Sequence, residues 1–176
     1  MKIEELIVEY LSRAITDVFS TMLGVDLGAG EIAVENSAPE ANDGVVSFIG
    51  LAGSWVGTGS LTCSPVMACR ICEQMLMTET SAVNEEVLDA VAELTNMIVG
   101  NVKTELEKHL GPLGLSIPTV VFGRNFKTKS AGTNEWTVAR FRWDGECLLV
   151  KLCLAPKERA AHAVYHSIPQ VTGVEA

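Results

Sequence analysis

The chain has 176 residues, of which 48% are hydrophobic and 20% charged, and its formal net charge is −9. This composition is typical of a globular protein, and the length fits one domain with one hydrophobic core. Lys and Arg form no cluster, so nucleic acid is not an expected partner. Charged residues interrupt the N-terminus, and no apolar run reaches the roughly 18 to 20 residues of a membrane-spanning helix. These features predict a soluble, cytoplasmic protein that does not enter membranes.

Helical periodicity and capping residues indicate three helices. Residue Gly24 follows the first of them in the position where glycine commonly ends a helix. Ser64-Pro65 combines a capping side chain with a proline suited to the first turn, and Asn84 is a second capping residue. The predicted helices cover residues 2–23, 65–77 and 84–110.

Most of the remaining chain has strand patterns. Residues 24–43 read as a loop with one short strand, Gly57-Thr58-Gly59 as a turn or bulge, and Asp144-Gly145 as a hairpin turn. The predicted strands cover residues 32–34, 45–51, 55–63, 119–122, 136–143 and 147–154. This order indicates an α+β domain with a mostly antiparallel sheet of about six strands covered by long helices. We assign residues 1–155 to that domain and 156–176 to a C-terminal tail.

The third predicted helix separates into a buried stripe and a polar arc about 100° wide. Glu93 and Asn96 are three residues apart, so their side chains leave the same side of the helix. Gly100 lies on that side too, where glycine costs about 1 kcal/mol relative to alanine and adds nothing to the core. A close approach by a partner would explain it, although a solvated helix face would also be polar. The arc contains Asp89, Glu93, Asn96, Gly100, Lys103, Thr104 and Glu107.

The stretch from Asp89 to Lys103 resembles the phosphatase signature of the CheC, CheX and FliY family. That signature has Asp, three residues, Glu, two residues and Asn, followed about twenty residues later by Pro, and Pro118 stands in that position. The resemblance covers roughly residues 5–155. It implies the CheC-like fold, a phosphorylated CheY-like receiver as partner and substrate, and a homodimer formed through the sheets.

The resemblance also assigns roles to individual residues. It implies that Asn96 positions the attacking water and that Glu93 pairs with the phosphate-contacting lysine of the receiver, so these two residues are the expected catalytic pair. Asp89, Gly100 and Lys103 are expected to contact the partner. No cofactor is expected on this chain, because the Mg²⁺ ion would be supplied by the phosphorylated response regulator.

The first helix carries no second copy of the signature. It offers Ser12, Thr16 and Phe19 at the corresponding spacing, which predicts a single site per chain.

Other functions stay open at this stage. A non-catalytic receiver-binding or motility adaptor module would use the same helix face and the same residues. A metal site is not predicted, because Cys69 and Cys72 are separated from His162 and His166 by roughly ninety residues, far beyond zinc-finger spacing.

Overall fold

The computed structural model describes residues 2–36, 41–128 and 135–158. Within these ranges the chain forms three α-helices and seven β-strands. The helices are α1 (Ile3–Val18), α2 (Pro65–Leu76) and α3 (Glu85–Leu110). The strands are β1 (Glu31–Asn36), β2 (Ala41–Gly53), β3 (Trp55–Cys63), β4 (Leu113–Leu115), β5 (Thr119–Lys127), β6 (Glu135–Trp143) and β7 (Glu146–Pro156).

The helix ends confirm the capping signals in the sequence. The Ser64 side chain accepts a hydrogen bond from the Met67 amide, and Asn84 Oδ1 accepts one from the Val87 amide at 2.9 Å. Helix α1 continues into one π-helical turn, which Gly24 ends with a left-handed φ of 63°. Caps of this kind satisfy amide groups that a helix terminus leaves without partners.

All seven strands belong to one antiparallel sheet, which confirms the predicted α+β class. The order is β1-β6-β7-β3-β2-β4, and β5 also pairs with β2. The β6–β7 hairpin turns at Asp144 and Gly145, both with positive φ, as the Asp-Gly signal predicts. Of the predicted tail, Pro156 ends β7, and residues beyond 158 lie outside the described part.

Three details of the sequence-based prediction need correction. The predicted strands omitted β4, which adds a seventh strand to the expected sheet of about six. Strand β2 begins at Ala41, inside the stretch predicted as a loop. Gly57 and Gly59 lie in the interior of β3 and not in a turn.

Close packing explains the two β3 glycines. A β-carbon on Gly57 would lie 2.0 Å from the carbonyl oxygen of Cys153 on the neighbouring strand. One on Gly59 would lie 2.7 Å from Val99 Cγ2 of α3. The Val99 side chain of α3 therefore packs directly on the β3 backbone, which only glycine permits at this point.

The main hydrophobic core lies between the three helices and one face of the sheet. Val91, Leu94, Ile98 and Val102 of α3 are fully buried there. The opposite sheet face has a smaller cluster around Trp136, Val138 and Cys153. In the part of the chain that the structure describes, no helix has both the length and the hydrophobicity needed to cross a bilayer.

Candidate functional site

The polar residues of α3 lie on two different sides of the helix. One side, here called the β4 flank, faces β4: Glu107 Oε1 accepts a hydrogen bond from the Leu113 amide at 2.8 Å, and a β-carbon on Gly100 would lie 3.9 Å from Leu115 Cδ1. The other side, the α1 flank, packs on α1 through ion pairs and hydrogen bonds. The β4 flank consists of Asp89, Glu93, Asn96, Gly100, Lys103 and Glu107; the α1 flank consists of Asn101, Thr104, Glu105 and His109.

The predicted pair Glu93 and Asn96 lies on the β4 flank, on successive turns of α3. Glu93 is exposed and Asn96 is half-buried. Among the described residues, neither side chain has a hydrogen bond or an ion pair. A carboxylate and a carboxamide are therefore presented side by side with their polar atoms available to another molecule.

The three predicted partner contacts differ in their surroundings. Asp89 is exposed one turn before Glu93. At Gly100, an added β-carbon would meet only Leu115 Cδ1, at 3.9 Å, so the described chain could accommodate it in ordinary van der Waals contact. Lys103 lies one turn beyond Gly100 along α3, and its Nζ pairs with Glu107 Oε1 at 2.9 Å. The contacts of these residues with a partner stay predictions.

Glu107 joins α3 to β4 at the far end of the β4 flank. The pKa of its carboxyl group lies below its usual value, first because the Leu113 amide donates a hydrogen bond to it and then because of Lys103. This carboxylate thus holds Lys103 and the start of β4 in place.

A β-bulge beside the β4 flank escaped the sequence analysis. Ser116 pairs with Gly50 through its amide, and Thr119 pairs with Phe48, so Ile117 and Pro118 together oppose Ile49. Proline fits a bulge because it has no amide hydrogen to pair. The Ile117 residue is 88% exposed. The only signal of it in the sequence is an apolar residue directly before the signature proline.

Helix α1 offers no second exposed acid–amide pair at the predicted positions. Phe19 is fully buried and packs edge-on against Trp143. The Thr16 hydroxyl donates to the Ser12 carbonyl oxygen at 3.1 Å and is therefore occupied locally.

No group of three or more His, Cys, Asp or Glu residues that could hold a metal ion occurs within the described ranges. Cys72 is buried and Cys69 half-buried, and burial raises the pKa of both thiols. A raised pKa disfavours the thiolate that metals and electrophiles require. His162 and His166 lie outside the described residues.

Comparison with known proteins identifies related sequences. The family described as "Chemotaxis phosphatase CheX" matches residues 45–142. A protein named "CheY-P phosphatase CheX" from Thermotoga maritima is 30% identical over 128 residues, which cover 72% of this chain and 81% of that protein. The family match includes α3 and its β4 flank.

Solved structures with the same architecture include a CheC-like superfamily protein from Shewanella sp. PV-4. It is 26% identical, with a TM-score of 0.73, and the match covers 88% of this chain and 99% of that one. In a CheX–CheY–BeF3–Mg complex from Borrelia burgdorferi, the matched chain shares the fold, with 23% identity, a TM-score of 0.68 and coverage of 84% and 97%. The chain described here belongs to the CheX family.

Proposed function

We propose that this chain is a phosphatase that hydrolyses the aspartyl phosphate of a CheY-like response regulator in the cytoplasm. The observation that carries the proposal is the pair Glu93 and Asn96 on the β4 flank. Glu93 is exposed, Asn96 is half-buried, and neither side chain has a hydrogen-bond or ion-pair partner among the described residues. The family membership supports it, as does the name of the Thermotoga maritima relative, "CheY-P phosphatase CheX".

Asn96 acts by positioning a water molecule. An acyl phosphate is already activated, so much of the remaining barrier lies in placing water in line with phosphorus. The carboxamide accepts a hydrogen bond from water through its oxygen and donates one through its NH₂ group. Water oxygen then bonds to phosphorus as the bond from phosphorus to the aspartyl oxygen breaks, giving inorganic phosphate and a free aspartate.

Glu93 acts by docking. Its carboxylate pairs with the receiver lysine that contacts the phosphoryl group, through a charge-assisted hydrogen bond that fixes the register of the complex. Asp89, one turn earlier, adds negative charge to the same surface.

The Mg²⁺ ion belongs to the phosphorylated receiver in this proposal. The β4 flank supplies carboxylates from Asp89 and Glu93, and Glu107 is paired with Lys103, so it lacks the compact set of oxygen ligands that an ion site of its own needs. No cofactor of this chain takes part.

The test is multiple turnover. Purified protein at a small fraction of the receiver concentration is expected to release phosphate faster than the receiver loses it alone. A binding adaptor would slow the receiver's own loss of phosphate or leave it unchanged, because an adaptor does not catalyse hydrolysis. If the receiver binds but its phosphate is not released faster, the phosphatase hypothesis is rejected and the adaptor hypothesis is favoured.

We also propose that the protein forms a homodimer through its sheet. The face away from the helices carries Val121, 38% exposed, and the half-buried Phe48 of the neighbouring strand. Such apolar side chains are suited to a packed interface. The mass measured by light scattering during gel filtration decides the point, and a monomeric mass would contradict it.

A further inference from the structure

Strand β4 runs along α3 in the opposite direction. Glu107 contacts Leu113, and Gly100 lies beside Leu115. Later residues of the strand therefore lie beside earlier residues of the helix. Ile117 follows Leu115 by two residues, so it lies further in the same direction, towards the end of the β4 flank that carries Asn96 and Glu93.

Ile117 is also on the helix side of the sheet. Ser116 points to the other side, where its Oγ lies 3.4 Å from a β-carbon built on Gly50 and 2.8 Å from the Gly50 amide. Leu115 pairs with Leu51, and Ile117 opposes Ile49; both of these β2 residues belong to the core, so Leu115 and Ile117 lie on the side of α3. The Ser116 bonds, including one from its hydroxyl to the Ile117 carbonyl oxygen at 3.0 Å, fix the backbone that carries Ile117.

The apolar surface continues along β5. Phe122 pairs with Val45 of the core-facing side and is 50% exposed, while Val120, opposite Ser47, is partly buried against the core. We call Ile117, Val120 and Phe122 the β5 ridge. It runs beside the acidic β4 flank, and Leu115, the neighbour of Gly100, lies two residues before its start.

We propose that the β5 ridge, which begins at Ile117, is an apolar docking contact for the phosphorylated receiver beside Glu93 and Asn96. This inference rests on the proposed function and extends it to affinity and specificity. The occupant follows from continuity and charge: Asp89 and Glu93 are acidic, and the one cation of this flank, Lys103, is paired with Glu107. A partner that brings a lysine to Glu93 and apolar side chains to Ile117 fits both features.

The experiment compares Ile117→Ser with Val34→Ser. Val34 is 47% exposed on β1, at the opposite edge of the sheet, so it controls for the loss of an exposed apolar side chain. Receiver dephosphorylation is measured over a range of receiver concentrations, and binding is measured with a receiver carrying beryllofluoride and Mg²⁺. Thermal unfolding checks that each variant folds.

The expected result is a rise in KM and Kd of about tenfold for Ile117→Ser, with kcat within twofold of the unmodified protein. Ile117→Leu restores most of the affinity because it restores apolar area, and Val34→Ser changes neither constant. Unchanged KM and Kd in Ile117→Ser would overturn the inference while leaving the phosphatase intact.

Two further outcomes distinguish receiver docking from catalysis and from self-association. If the unmodified protein binds the receiver without turnover, the proposed function fails, yet weaker binding by Ile117→Ser would still support the ridge as a docking contact. If Ile117→Ser lowers the molecular mass in light scattering and leaves receiver binding unchanged, the ridge joins two copies of this chain, and the inference is wrong.

Discussion

The two flanks of α3 are both polar but differ in what their side chains contact. On the α1 flank, Glu105 pairs with Arg13 at 3.1 Å and with Lys108 at 2.9 Å. His109 Nε2 and the Tyr10 hydroxyl share a hydrogen bond at 3.0 Å. On the β4 flank, Glu93 and Asn96 have no such partner among the described residues.

This difference shows how one amphipathic helix can carry structure and function together. Paired groups on the α1 flank hold two helices in register, and each exposed pair adds little stability. Unpaired groups on the β4 flank retain their capacity to bind another molecule. Making the same substitution at matched positions on the two flanks tests this division.

The largest effect is expected from Asn96→Ala. Dephosphorylation should slow at least tenfold, about 1.4 kcal/mol of barrier, because the water is no longer oriented. Asn101→Ala, the same change on the α1 flank, should leave kcat unaltered. Single-turnover phosphate release with saturating protein measures both, and equal rates for the two variants would remove Asn96 from the mechanism.

Charge reversal should separate docking from stability. Glu93→Lys places like charge against the receiver lysine and should weaken binding by about tenfold or more, with little change in thermal unfolding. Glu105→Lys faces Arg13 and Lys108 and should lower the unfolding temperature while receiver affinity stays the same. Titration of a beryllofluoride-loaded receiver and calorimetry give the two readings. A Glu93→Lys variant with normal affinity would contradict the docking role.

Gly100→Ala is expected to have two smaller effects of opposite sign: higher stability and lower receiver affinity. The added methyl group meets only Leu115 at 3.9 Å, so the helix gains about 1 kcal/mol and unfolds at a higher temperature. Receiver affinity should fall, because the partner loses space beside the helix. Asn101→Ala is the control for helix propensity alone. Improved stability with unchanged affinity would show that the partner does not use this space.

The smallest effect concerns pH. The Glu107 pKa is lowered in the folded protein, so its ionised form stabilises the fold above its ordinary value of 4.5, and this contribution is lost as pH falls through the folded pKa. Glu107→Gln should therefore show a smaller drop in unfolding temperature between about pH 7 and about pH 3.5 than the unmodified protein. Equal drops would mean that this carboxylate does not contribute to acid sensitivity.

Local signals in the sequence predicted most elements of the fold. The helices follow apolar periodicity and caps such as Asn84, and the β6–β7 hairpin follows Asp144-Gly145, because these features depend on a few neighbouring residues. The placement of Glu93 and Asn96 on the same polar side of α3 was likewise predictable from a helical wheel and the family signature.

Other features depend on contacts between distant segments and were not predictable in this way. Strand β4 has three residues, too few for an alternating pattern, and exists because it pairs with β2. The same pairing creates the bulge that exposes Ile117. A helical wheel also gives no direction in space, so it did not predict that β4 lies beside Gly100.

The close seat of α3 on Gly59 has a consequence for comparing related proteins. A side chain at this buried position would lift the helix and redirect Glu93 and Asn96 together, although it touches neither. A relative could thus keep every letter of the surface signature and still have lost activity. A function should therefore be assigned to such sequences only after the residue at the position of Gly59 in β3 has been checked together with the signature.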